Sequence, residues 1–404
     1  MNNPTEKELL EQIKEAADQC AKLEAESPDL EKTNNQSAIF PYKITGGGSK
    51  DFYGANTRGA PLSTHGLLGI LNYEPSELYI TVKAGTPLAE VESVLAEQGQ
   101  YLAFEAPNFN GLSTIGGAVA SGLSGPSRAS CGGVRDYVLG LKMINGKGQH
   151  LTFGGQVMKN VAGYDVSRLL SGSWGTLGLV TEVSLKVLPK ALAEQTIVMN
   201  VGQQSAIDLL NEWGATSLPL NASVWQGLAN QGASGQLWIR LRGAVAAVNS
   251  GEQRIFNQCK NRGTSVQILQ NSVAEKFWDG HKNQTLEFYT FAPSATDCLW
   301  RLSVPQKTPE LVIKSVDPFK PQCLEWNAGL RWIWAPSGSS EYIKASAQEA
   351  GGHATLWRVS EGNAQMDKEV GVFTPLSLVQ RKIQRSLQRE FDPWGLFNTG
   401  RLEI

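Results

Sequence analysis

Ser113-Thr114-Ile115-Gly116-Gly117-Ala118-Val119-Ala120-Ser121-Gly122-Leu123-Ser124-Gly125 is the stretch on which the fold turns. Ser113 or Thr114 can cap a helix whose first turns carry almost no side chains. A surface that bare lets a pyrophosphate or a flat ring approach the backbone, and a helix start favours anions. Tight helix packing is the competing use of so many small residues. An earlier cluster, Lys43-Ile44-Thr45-Gly46-Gly47-Gly48-Ser49-Lys50-Asp51-Phe52-Tyr53-Gly54, places three glycines after a strand-like run. Consecutive backbone N–H groups can converge there on an anion, with Ser49 adding a hydroxyl. An ordinary tight turn is the alternative. Neither cluster fits Gly-x-Gly-x-x-Gly or the Gly-x(4)-Gly-Lys-Ser/Thr loop. Together they predict a dinucleotide-sized site on a fold other than the Rossmann type.

Composition narrows the class. Glycine supplies 42 of 404 residues, and more than half of these lie between Gly46 and Gly178. At roughly 100–200 residues per domain, the length allows two or three domains with proper cores. Lys and Arg number 36 against 38 Asp and Glu, a net charge of −2. That supplies no field for nucleic acid and no polybasic anchor for anionic lipid. No apolar run approaches the roughly 20 residues that cross a bilayer. The opening Met1-Asn2-Asn3-Pro4-Thr5-Glu6-Lys7-Glu8 lacks the basic-then-apolar order of a secretory signal. A cytoplasmic globular protein is expected. Cys20, Cys131, Cys259, Cys298 and Cys323 form no Cys-x-x-Cys, and His65, His150, His281 and His353 show no ligand spacing. Reduced, buried thiols and no metal site are expected.

Residues 1–36 carry nine acids and four bases. Leu9, Leu10, Ile13, Ala17 and Cys20 recur at helical spacing, which predicts an amphipathic helix, most simply a solvated extension, before a polar linker. From 37 to 190 strand-like runs alternate with glycine-rich turns. Leu78–Val82 reads as a strand, Thr86-Pro87 as the cap of a helix with Leu88, Val91 and Leu95 buried, and Leu177–Leu188 as a strand closed by Pro189. From 191 to 345 glycine thins, and Gln236–Leu241 and Cys298–Val304 alternate between helical patterns, as in a separate α+β domain. Residues 346–404 form a closing segment. In it Val379, Ile383, Leu387 and Phe391 recur every four residues with Arg381, Lys382, Arg385 and Arg389 outward, an amphipathic helix stopped by Asp392-Pro393.

These motifs carry a specific resemblance. Gly46–Ser49, Thr114–Gly117, Gly132-Gly133-Val134-Arg135-Asp136-Tyr137-Val138-Leu139-Gly140 and Gly172-Ser173-Trp174-Gly175-Thr176-Leu177-Gly178 resemble the FAD domain of the vanillyl-alcohol oxidase / p-cresol methylhydroxylase superfamily. Phe391-Asp392-Pro393-Trp394-Gly395-Leu396-Phe397-Asn398-Thr399-Gly400-Arg401 is similar to its closing turn, with Thr399 where proline is usual. More narrowly, Arg135–Gly140, Phe153–Asp165 and Gly351-Gly352-His353-Ala354-Thr355 resemble the FAD-binding E subunits of glycolate oxidase (glycolate dehydrogenase). The match spans about 37 to 404 and is weak in the middle.

The resemblance implies an α+β protein: a p-cresol-methylhydroxylase-type (PCMH-type) FAD domain of two α/β subdomains, an α+β cap at 191–345, and a C-terminal segment returning to the FAD domain. Gly46, Gly47, Gly48, Ser49 and Asp51 would lie at the pyrophosphate. Thr114, Ile115, Gly116 and Gly117 would meet the phosphate and ribityl region, and Ser121, Ser124 and Gly125 the ribityl chain or ring. Val180 would offer backbone to the adenine end, and Gly163 and Tyr164 would lie beside the flavin. No histidine accompanies either glycine motif, so non-covalent FAD is implied. The catalytic D subunit of such complexes carries a His-x-Gly-Asp-Gly-Asn-type segment that is missing here, and clustered cysteines are missing too. A D-type flavoprotein and an iron–sulfur F-type subunit are therefore the expected partners, giving peripheral membrane contact if any. The basic final helix and the tryptophan-rich last third are candidate contact surfaces, with a place in the core of the cap as the alternative for the tryptophans. Oxidising a 2-hydroxy acid needs a cation for the carboxylate and a base for the hydroxyl proton. Arg331, Arg358 and His353 are the candidates, each with a structural role as its alternative: an arginine beside tryptophan can simply stack, and His353 could cap a turn. A self-sufficient oxidoreductase for another hydroxy acid, sugar or lactone, and a non-catalytic FAD-bearing scaffold or relay, are the alternatives.

Overall fold

The computed structural model describes residues 3–26, 41–155, 165–227 and 234–402. Contacts divide the chain into two units. The first joins Met1–Leu123, Gly133–Pro189 and Pro375–Ile404, and the second joins Ser124–Gly132 and Lys190–Thr374.

The first unit has two strand systems. A parallel pair joins Tyr42–Thr45 to Ala60–Ser63. A five-stranded antiparallel sheet runs in the order Ile70–Glu74, Tyr79–Lys83, Leu179–Lys186, Val138–Ile144, His150–Gly154. The helix Leu88–Glu97 buries Leu88, Val91 and Leu95, as their spacing requires. Thr86 does not cap it; its hydroxyl instead accepts from Gly69 N at 2.9 Å. Residues from opposite ends of the chain meet here. Tyr42 N donates to Leu396 O, and Asn398 N to Tyr42 O. The Asp392 carboxylate staples the last turn by accepting from Leu396 N at 2.8 Å and Phe397 N at 2.9 Å. At Thr399 the hydroxyl ties back to the Gly395 carbonyl, replacing the rigidity a proline would lend.

The N-terminal helix, Glu6–Glu26, is not the solvated extension its acidity suggests. Leu9, Ile13, Ala16, Ala17 and Cys20 pack with Tyr42, Leu62, Ile144, Leu179 and Phe397 in one core. Glu6 binds Lys83 at 2.7 Å and His150 at 2.7 Å, so this acid of the helix has its partners on the sheet of the same unit.

The second unit is an eight-stranded antiparallel sheet with the order Val266–Ile268, Ala193–Gly202, Ser234–Gly243, Leu220–Gly227, Gln322–Glu325, Leu330–Pro336, Asp297–Ser303, His353–Arg358. Helices Gln203–Gly214 and Val245–Asn261 pack Ala206, Leu210, Trp213, Ile255 and Cys259 against Ile197, Leu237, Ile239 and Leu241. The domain boundary read at 345 is corrected to Thr374, because His353–Arg358 pairs with Asp297–Ser303 as the last strand of this sheet. Of the two readings of the tryptophans, the structure takes the core one: Trp300, Trp332, Trp334 and Trp357 are buried. In the final helix, Leu378–Phe391, Phe391 alone is buried, while Val379 and Ile383 are 69% and 56% exposed. No helix among the described residues is long and apolar enough to cross a membrane.

Candidate functional site

A cavity in the first unit gathers both glycine clusters. Gly46, Gly47, Gly48, Ser49, Asp51, Thr114, Gly116, Gly117, Ser121 and Val180 line it, together with Lys50, Trp174, Asn398 and Arg401. The glycines are required locally. Gly48 has φ +68, a left-handed backbone that side chains resist. A Cβ on Gly47 would stand 1.6 Å from Leu112 O, and one on Gly46 would stand 2.8 Å from Thr114 Oγ1. Around Gly117 such an atom would meet only Thr114 Oγ1, at 3.2 Å, so its remaining surroundings are open. Among the described residues the amides of Gly47, Gly48 and Ser49 meet no protein acceptor. Successive unsatisfied N–H groups in a side-chain-free concavity are what a diphosphate needs.

The helix Ile115–Ser121 contributes differently than its sequence suggests. Thr114 is its N-cap and accepts from Gly117 N at 3.1 Å. Ile115 N and Gly116 N donate to Thr86 O and Ala84 O. These donors are spent, so the stretch offers close approach and not hydrogen bonds. The Ile115 side chain lies in the core. The Ser121 hydroxyl donates to Ala118 O at 3.1 Å. Ser124 and Gly125 belong to the second unit, where the Gly125 carbonyl accepts from Trp326 Nε1 at 2.9 Å. Gly122, with φ +64, ends the helix and turns the chain away before them. Gly163 and Tyr164 lie outside the described residues.

Among the cavity residues that went unread in the sequence are Lys50, Arg401 and Asn398. Lys50 Nζ is buried and donates to Ser113 Oγ at 2.7 Å, and desolvation lowers its pKa to about 8. Arg401 stacks 5.3 Å from the Trp174 ring and donates to Lys50 O at 2.8 Å. Asn398 accepts from Ile44 N at 2.9 Å and donates to Trp174 O at 2.7 Å. Lys50 adjoins the glycine run, so charge was its only visible signal; the other two arrive from the end of the chain. Asp51 pairs with Lys43 at 2.8 Å, which offsets a carboxylate at an anion site.

The three substrate candidates all lie on the second sheet and do not converge. Arg331 is buried and donates to the carbonyls of Ala328, Pro309 and Thr308, so its guanidinium serves the fold. Its strand places it opposite Leu302, whereas His353 pairs with the next residue, Ser303. Side chains alternate faces along a strand, so Arg331 and His353 point to opposite sides of the sheet. Burial lowers the pKa of Arg358. On the His353 face, Arg301 lies 5.1, 5.9 and 6.0 Å from the rings of Trp326, Trp332 and Trp357. A buried polar cluster adjoins it. His281, Cys323 and Glu325 come within 4.8 Å of one another, and the Tyr289 hydroxyl stands among them, 2.9 Å from His281 Nδ1 and donating to Glu325 at 2.8 Å.

Comparisons with known proteins agree with this geometry. Residues 35–154 match the family described as FAD binding domain. The chain is 37% identical over 374 residues to glycolate oxidase subunit GlcE of Escherichia coli K12, covering 92% of this chain and 96% of that protein. Against glycolate oxidase subunit GlcD of Bacillus subtilis 168 it is 35% identical over 129 residues, covering 32% and 27%. An alkyldihydroxyacetonephosphate synthase structure superposes with a TM-score of 0.66 at 14% identity, covering 98% of this chain and 76% of that one. For p-cresol methylhydroxylase with substrate bound the TM-score is 0.64 at 13% identity, covering 90% and 84%. The solved structures show the fold, which is the PCMH type. The near-complete alignment shows the lineage: the chain belongs to the glycolate oxidase subunit GlcE family of FAD-linked oxidoreductases.

Proposed function

We propose that this chain is the FAD-carrying E subunit of a glycolate dehydrogenase (glycolate oxidase) complex that converts glycolate to glyoxylate. The observation that carries the reading is the side-chain-free cradle of Gly46–Ser49 and Gly116–Gly117 in a chain alignable to GlcE over almost its whole length. When bound, FAD would supply the acceptor for the hydride of the hydroxyl-bearing carbon, which carries both electrons of the oxidation. The free amides of Gly47, Gly48 and Ser49 and the Lys50 ammonium would hold the diphosphate. Gly117 would let the cofactor touch backbone, and Arg401 on Trp174 would close the wall.

The cofactor is held without a covalent bond. Among the described residues that line the cavity there is no histidine, cysteine or tyrosine side chain to form a bond to flavin. The five cysteines are separate free thiols, so an iron–sulfur relay belongs to a partner. A D-type flavoprotein and an F-type iron–sulfur protein complete the enzyme, which works in the cytoplasm, and any membrane contact is made through those partners.

Dye reduction by glycolate tests the reading. The purified chain alone should turn over glycolate slowly, and co-expression with D-type and F-type subunits should restore activity. Full activity from the single chain would replace the complex with a self-sufficient oxidoreductase. Acid precipitation should leave yellow flavin in the supernatant; flavin in the pellet would reverse the non-covalent assignment.

A further inference from the structure

We propose that the outward face of the helix Leu378–Phe391 docks on an acidic, grooved surface of a partner protein subunit. The proposal rests on the multi-subunit reading above and names the surface by which this chain enters the assembly.

The helix is held by its ends. A capping box opens it: Ser377 Oγ accepts from Gln380 N at 3.3 Å, and Gln380 Oε1 accepts from Ser377 N at 3.0 Å. The turn that follows it is fixed by the Asp392 carboxylate. Phe391 is its one fully buried residue, so most of the helix is free to meet something else. A preformed helix also loses little freedom on binding.

Its free side carries two chemistries. Leu378, Val379 and Ile383 are exposed, and Val379, Ile383 and the half-buried Leu387 form a ridge spaced by four residues. Arg381, Lys382 and Arg389 are exposed and Arg385 is half-buried. At about 100° per residue, Arg389, Lys382, Val379 and Ile383 share one outward arc of about 120°. Cations edge that arc on one side and branched aliphatics on the other.

The cations lack counter-charges. Among the described residues none of Arg381, Lys382, Arg385 and Arg389 has an ion pair, and the helix's one acid, Glu390, is held by Lys147 at 2.8 Å. Arg381, Arg385 and Arg389 follow at four-residue intervals, where like charges repel. Arg381 also stands in the first turn, where the helix dipole disfavours a cation. The result is a concentrated positive field on a chain whose net charge is −2. Carboxylates on a partner surface relieve that repulsion and steer its approach. The aliphatic side selects protein over lipid. A ridge at i and i+4 fits the groove of a second helix. A helix that lies in a lipid surface presents a broad apolar face with bulky or aromatic groups, and no ring is exposed on this arc.

The full-length, FAD-loaded chain is tested against D-type and F-type subunits, with affinity measured at low and high salt. Lys382→Glu with Arg389→Glu should weaken association by about ten-fold or more and flatten its salt dependence. Val379→Ser with Ile383→Ser should weaken it as well, with the salt dependence kept. Both double variants should keep wild-type flavin content and melting temperature, since every substituted side chain is exposed. Subunits that bind wild type and both variants alike would overturn the surface and leave the multi-subunit reading standing. A wild-type chain that binds neither subunit would overturn that reading, and this surface with it. Two further arms use vesicles of phosphatidylcholine with phosphatidylglycerol, and the chain by itself over a range of concentration. Vesicle binding or self-association that both variants abolish, with subunit binding unchanged, would give the face to lipid or to a second copy and overturn the proposal.

Discussion

Lys50 is a cation buried beside an anion cradle, and its chemistry follows from that position. Desolvation brings its folded pKa to about 8, below the ordinary 10.5. The sign is that of a lysine penalised while charged. The penalty is complete below about pH 8 and is relieved as pH rises from about 8 to about 10.5. Flavin-free protein should therefore gain stability over that window, by up to about 3 kcal/mol. A bound diphosphate would keep the proton on Lys50 and remove the gain. Melting curves at pH 7.5 and 9.5, with and without FAD, check this, and Lys50→Met should flatten the pH dependence of FAD affinity. Gly117 gives a second residue-scale test. Its missing side chain costs the protein little room, since a Cβ would touch only Thr114 Oγ1. Gly117→Ala should leave the fold as stable or about 1 kcal/mol better, because glycine is poor in a helix. Gly117→Val should abolish FAD retention, read as the flavin-to-protein ratio. A Gly117→Val variant that keeps full flavin would remove this position from the cradle.

At the scale of elements, the N-terminal helix matters most. A solvated extension would tolerate truncation of its apolar stripe, whereas the observed helix buries Ile13 completely in the core shared with Leu179 and Phe397. Leu179 also lines the cavity, so the helix supports one of its walls. Ile13→Ala should cost about 2–4 kcal/mol of stability, the usual range for emptying a buried aliphatic site. Chemical denaturation measures it, and a change under about 0.5 kcal/mol would mean the helix is not docked in solution. The final helix behaves in the opposite way. Its period-four stripe implies burial, yet only Phe391 is buried.

For the whole molecule, the division into two units sets how it should unfold. Nine of the eleven tryptophans fall in the second unit; only Trp174 and Trp394 lie in the first. Tryptophan emission therefore reports the second unit, and flavin release the first. FAD at about 100 times its Kd should raise the first unit's stability by about 2.7 kcal/mol. The tryptophan transition should stay where it is. If both signals move together on adding FAD, the units unfold as one.

What could be read from residue order is local chemistry. Gly46–Ser49 and Thr114–Gly117 declare bare backbone, and bare backbone beside a strand or helix start has few uses. Leu88, Val91 and Leu95 declare a buried helical stripe, and the structure buries all three. What residue order could not show is partnership across long separations. Arg401 and Asn398 reach the cavity only because the last turn bridges to Tyr42. Arg331 and Arg301 look alike in a sequence. Strand register alone turns one into the interior carbonyls and the other onto the face of His353. The same holds for the helix Ile115–Ser121, whose amides were free to bind phosphate until Ala84 and Thr86 supplied acceptors from another segment. Backbone freedom is a property of the residue itself, whereas the direction of a side chain and the satisfaction of a donor depend on what the folded chain brings beside it.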